Sequence, residues 1–186
     1  REIEEVAKRL RKLVKELKER SKESKDRSRK LMTELKKLSK DSLRELRRLL
    51  DELRKILKDR RDSEETVKEV EERLKELLER NKRDSERVAR EDKKLNDDNR
   101  EESKKAAEEL KKIVKELEDR NRGKRDVKKK LDEIRREVKK VIEEDKRLND
   151  ESEKDSRRLI REDEDENRRI KEEIDRAVEE LRRRRK

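Results

Sequence analysis

Apolar residues return every third or fourth position from Ile3 to Leu181, and that whole span holds no proline and a single glycine, Gly123. Such spacing places side chains on one face of an α-helix, which turns once every 3.6 residues. Proline would remove a backbone donor and clash with the preceding turn, and glycine would weaken a helix interior. With both nearly absent, the helices can run far beyond the usual length of about 11 to 12 residues. Two places break the pattern. Around Arg60-Arg61-Asp62-Ser63-Glu64-Glu65, Asp62 or Ser63 is a natural N-cap, and Asp62 with Glu65 has capping-box spacing. Around Asn121-Arg122-Gly123-Lys124, the glycine can supply the left-handed residue that ends a helix.

These breaks predict helices over about 2–60, 63–121 and 125–185, in a single domain spanning 1–186. Each helix would be about 90 Å long at 1.5 Å rise per residue. Both connections are short, so consecutive helices must be antiparallel neighbours. The expected fold is all-α: a single-chain, antiparallel, up-down-up three-helix bundle of very long, nearly straight helices. Straightness is expected because the stripes advance by about 3.6 residues rather than the 3.5 of a supercoiled heptad.

The stripes also carry a register. In the first helix Ile3, Ala7, Leu10, Val14 and Leu17 mark one end and Leu46, Leu50, Leu53 and Leu57 the other. Adding about 124 reaches the matching position of the third helix, from Val127 to Leu181. Pairs summing to about 124 match the first helix to the second, so that Leu57 meets Val67, Leu50 meets Leu74 and Leu10 meets Val114. Polar residues interrupt all three stripes at the same heights. They are Ser21, Ser24, Ser28, Ser39 and Ser42 in the first helix. In the second they are Asn81, Asp84, Ser85, Asp92, Asn96, Asn99 and Ser103. In the third they are Asp145, Asn149, Ser152, Asp155, Ser156, Asp163 and Asn167. One register therefore brings Ser21 to Asp145 and Ser103, Ser28 to Asn96 and Ser152, Ser39 to Asp163 and Ser85 or Asp84, and Asn81 to Asn167. Asp92 falls opposite Met32 and near Asp155 and Ser156.

A buried hydroxyl, amide or carboxyl costs a few kcal/mol unless it is hydrogen-bonded. An apolar seam would be more stable, so what polar layers supply is specificity: a slipped register would set them against leucine. The apolar ends are expected to carry most of the stability. The aspartates have no cation on their own stripe, and the expectation is that they are partly exposed and hydrogen-bonded to Ser and Asn across the seam.

Only 25% of the residues are hydrophobic and 65% are charged, a balance that in an unpatterned chain would mean disorder. The regular stripes argue for a fold instead. Without Cys or His there is no zinc site of the usual kind, no thiol nucleophile and no imidazole base. Without aromatics there is no stacking platform for single-stranded bases. An oxygen-only metal site would need convergent carboxylates and usually a loop, and paired carboxylates such as Asp92 and Asp155 lack a cleft in which to act. No catalytic residue, metal or cofactor is expected. The net charge of +11 is spread over faces of alternating sign, so contact with nucleic acid would be non-specific. The one concentrated basic run, Arg182 to Lys186, complements the dipole of its own helix terminus. No membrane span, signal-peptide core or targeting signal is visible, so the chain reads as soluble.

The near-equal helices, the seam repeated at one offset, the minimal connections and the Ser/Asn/Asp layers together resemble de novo designed helical bundles built around buried hydrogen-bond networks on parametric backbones. Natural three-helix rods of the spectrin-repeat kind are similar in topology but generally carry aromatic cores. The resemblance implies a synthetic scaffold, made by recombinant expression in the cytoplasm of a host, with no natural ligand or reaction. No partner would be required. The other reading is a designed interaction module that binds a partner helix or self-associates as a homo-oligomer through its seam.

Overall fold

A computed structural model describes residues 2–59 and 64–185. It consists of three helices, α1 (Glu2–Asp59), α2 (Glu64–Arg120) and α3 (Arg125–Arg185), of 58, 57 and 61 residues. The described residues contain no strand. The fold is an all-α three-helix bundle. Its chain divides into two compact units, one joining residues 1–29 to 93–155 and the other joining 30–92 to 156–186, so each unit takes a segment of all three helices.

The helix ends follow the dipole rule. Glu2, Glu4 and Glu5 open α1, Glu64 and Glu65 open α2, and Asp126 lies in the first turn of α3. Lys58 and Arg120 lie in the last turns of α1 and α2. At the end of α2 the Asn121 amide Nδ2 donates to the Leu117 carbonyl at 2.8 Å, and the Asn121 backbone N–H donates to the same oxygen at 3.2 Å. Gly123 then takes a φ of 86°, which turns the chain into α3, and Lys124 N–H closes the turn on the Asn121 carbonyl at 3.1 Å. The other cap, assigned above to Asp62 or Ser63, lies outside the described residues.

In the first unit the core is Leu10 and Leu17 of α1, Leu110, Ile113 and Val114 of α2, and Val138 of α3, edged by half-buried neighbours such as Val6, Ile134 and Ile142. Ion pairs Arg9–Glu109 and Arg20–Glu102 run antiparallel between α1 and α2, and Arg135 donates to Glu118 across α2 and α3 at 2.6 Å. The second unit holds a larger cluster. It includes Leu46, Leu50, Leu53 and Leu57 of α1, Val67, Leu74 and Leu77 of α2, and Ile170, Ile174, Ala177 and Leu181 of α3. A smaller cluster gathers around Met32, Leu35 and Val88. Here Glu34–Arg87 and Glu45–Arg73 repeat the antiparallel order, and Ser39–Asp163 with Arg54–Glu173 shows α1 and α3 running in the same direction.

Arg184, in the basic run at the end of α3, makes a contact beyond its own helix. Arg184 donates through Nη1 to the Leu57 carbonyl at 2.6 Å and through Nη2 to Glu180. It therefore caps the last turn of α1, whose carbonyls have no partner within their own helix. Arg183 is bonded to Glu179 on α3. Two residues on this geometry test the fold. Leu53→Ala, at a side chain with 0% exposure, should cost about 3–5 kcal/mol in urea unfolding. Gly123→Ala should cost about 1–2 kcal/mol and Gly123→Asn less, since asparagine tolerates the left-handed region.

Candidate functional site

The polar residues form two layers, one in each unit, and both are organised by α3. In the first unit the Ser21 hydroxyl donates to Asp145 Oδ1 at 2.5 Å. Asn149, one turn further along α3, donates through Nδ2 to Asp145 Oδ2 and to Ser103 Oγ, each at 3.3 Å. Its own Oδ1 accepts from Asn99 Nδ2 at 2.9 Å. In the second unit the Ser39 hydroxyl donates to Asp163 Oδ1. Asn167 donates to Asp163 Oδ2 at 3.3 Å and to Ser85 Oγ at 3.4 Å, and accepts from Asn81 Nδ2 at 2.7 Å.

The two layers have the same wiring. An Asp-x-x-x-Asn pair on α3 reads one serine of α1 and an Asn-x-x-x-Ser pair of α2. Each of the layer bonds just described between helices ends on the α3 pair. Each layer also repeats one defect, since Asn81 Oδ1 and Asn99 Oδ1 are buried without a hydrogen-bond partner.

Corresponding members stand eighteen residues apart: Ser21 and Ser39, Asn81 and Asn99, Ser85 and Ser103, Asp145 and Asp163, Asn149 and Asn167. The accompanying serines Ser24 and Ser42 keep the same separation. Eighteen residues make five full turns at 3.6 residues per turn, so each copy returns to the same face of its helix. This period was present in the sequence and was missed there, because matching heights between helices hid the repetition within each one.

The remaining polar positions differ in depth. Ser24, Ser28, Asp92 and Ser156 are buried, while Ser42, Asp84, Asn96 and Ser152 are half-buried. Ser28, Asp92, Asn96 and Ser156 each have a polar interaction of their own. Asp155 departs from the expected seam and is exposed. The inward face of α3 passes through Ser152 and Ser156, four residues apart, and Asp155 stands one residue, or about 100°, off that line. The expectation for the aspartates fits Asp145, which is half-buried, but Asp163 is only 7% exposed and Asp92 only 2%.

Around the layers, arginines engage the surface carboxylates. Arg100 binds both Glu153 and Asp150, which holds its guanidinium more firmly protonated than usual; the bond to Glu153 leads and burial opposes it. Arg87 is shifted in the same direction by Glu34 and then Glu91, and Arg135 by Glu118. Among the described residues no group of three or more acidic side chains is placed to hold a metal, and no helix is long and apolar enough to cross a membrane. Apart from the two asparagine oxygens, the hydroxyls, amides and carboxylates described in the layers are bonded to one another.

No family model matches the chain, and no curated protein is similar to it. Its fold is similar to a solved structure described as a "Computationally designed three helix bundle". That likeness has a TM-score of 0.68 at 22% identity and covers 98% of this chain and 93% of the other, so what the two share is the fold.

Unequal burial of the two aspartates gives a prediction. Ser39→Ala removes a donor from the buried Asp163 and should cost about 1–3 kcal/mol. Ser21→Ala, at the half-buried Asp145, should cost less because water can replace the hydroxyl. Urea unfolding of the two single variants against the parent compares them directly.

Proposed function

We propose that the chain is a designed structural scaffold with no natural biochemical activity, in which the Ser/Asn/Asp layers specify how its helices pair. The observation that carries this reading is the duplicated layer. Ten residues on three helices keep one bonding scheme at one separation, and such regularity has a purpose when pairing itself is the product. The likeness to a designed three-helix bundle supports it. So does the surface, where no large hydrophobic side chain is exposed among the described residues. An interaction module reading the same seam would need an apolar face to offer a partner helix. The layers instead spend their groups on the chain's own helices.

Light scattering on the eluting species, at micromolar and millimolar concentration, tests the self-contained reading. A monomer at both is expected, with one cooperative melt. A dimer or trimer would defeat it.

The specificity role has its own test. Replacing Ser21, Asn99, Ser103, Asp145 and Asn149 together by Leu, Ile or Val should raise the thermal midpoint, because a desolvated polar cluster gives way to apolar packing. The same change should broaden distances measured between spin labels on α1 and α2. A sharp fall in stability with the fold kept would mean the layer contributes stability as well as specificity.

A further inference from the structure

The eighteen-residue separation reaches past the pairing role. We infer that each polar layer is a module with a five-turn period, and that the chain between its two copies is an in-phase spacer whose removal from all three helices leaves a complete layer. This inference rests on the scaffold reading and adds to it the property of adjustable length.

The argument is local to each helix. Removing residues 22–39 from α1 joins Ser21 to Lys40 and so to Ser42, which restores the Ser-x-x-Ser spacing of Ser21 and Ser24. Removing 82–99 from α2 joins Asn81 to Arg100 and restores Asn-x-x-x-Ser with Ser103. Removing 146–163 from α3 joins Asp145 to Glu164 and restores Asp-x-x-x-Asn with Asn167. Each fusion thus holds one of every residue the layer uses. Because five turns are removed, the apolar stripe on one side of each junction continues on the same face on the other side. The two clusters around Leu17 and Leu110 and around Leu46 and Leu53 are both retained. What leaves is the smallest cluster, around Met32, Leu35 and Val88, together with Asp92 and Ser28. The removed stretches are thin in apolar residues. They hold four such residues in α1, namely Leu31, Met32, Leu35 and Leu38, and three in α3, namely Leu148, Leu159 and Ile160.

The test compares three chains: the parent, the eighteen-residue excision, and a control in which sixteen residues are taken from each helix at the same junctions. Sixteen residues leave the two halves of every stripe about 160° out of phase at 100° per residue. The expected result is that the in-phase excision keeps the parent's helical fraction, melts in one cooperative transition and remains monomeric. The control should lose cooperativity or aggregate. Nitrogen-15 spectra of the excised chain should show the protected side-chain amides of Asn81 and Asn167, and the Asn167→Leu variant of that chain should lose them.

An in-phase excision that behaves like the control overturns the module. So does a control that folds as well as the excision, since phase would then not be read. Should the parent prove oligomeric, the scaffold reading fails while the contrast between the two excisions still decides this inference.

Discussion

A carboxylate taken out of water must be given donors, and Asp163 shows what that demands of the rest of the chain. It receives one hydroxyl from α1 and one amide from its own helix. The amide belongs to Asn167, whose remaining polar atoms are taken up by Asn81 and Ser85 of α2. Satisfying one anion thus fixes residues on three helices. Apolar contacts do not act this way, because leucine packs against leucine at many offsets, whereas a hydroxyl about one turn away from its carboxylate forfeits the bond altogether. The leucine clusters supply the apolar burial, and the carboxylates bond to particular residues of α1 and α3.

The distribution of leucine is consistent with that division. The largest cluster lies in the second unit and draws on all three helices, and the cluster in the first unit does the same with fewer members. At the surface, pairs such as Arg73–Glu45 and Arg9–Glu109 are exposed and contribute at most a fraction of a kcal/mol each. Even Arg100, which binds two acids, has a side chain that is 43% exposed. The charge that dominates this composition therefore serves solvation, and stability falls to the quarter of the chain that is hydrophobic.

Much of this was legible in the sequence because two of its signals are strictly periodic. Stripe spacing gave the three helices, and Gly123 marked the turn that its φ of 86° makes. The offset of 124 pairs Ser21 with Asp145 and Ser39 with Asp163, and both pairs are hydrogen-bonded. What escaped depended on direction rather than position. Asp155 has the right height and the wrong azimuth, and counting residues along a stripe by threes and fours cannot separate it from Ser156. The role of Arg184 escaped because its acceptor, the Leu57 carbonyl, is a backbone atom that no side-chain pattern reveals. The role of α3 as the helix on which the described bonds of the two layers converge escaped for a related reason. A list of polar residues records who is present at a height, and only geometry records who donates to whom.

The unpartnered oxygens of Asn81 and Asn99 sharpen the view of the layers as copies. A buried acceptor left unmade costs about 1–3 kcal/mol, enough to matter in a chain with this little apolar surface. Had the two layers been assembled independently from their surroundings, each would be expected to carry its own imperfection. They carry the same one, on the same helix, at the α2 asparagine whose amide binds the α3 asparagine. Local environments differ between them, since Asp145 is half-buried and Asp163 is buried. A defect that persists through that difference belongs to the bonding scheme. The same five-residue scheme, with the same unpartnered oxygen, therefore recurs in the two layers despite the difference in burial.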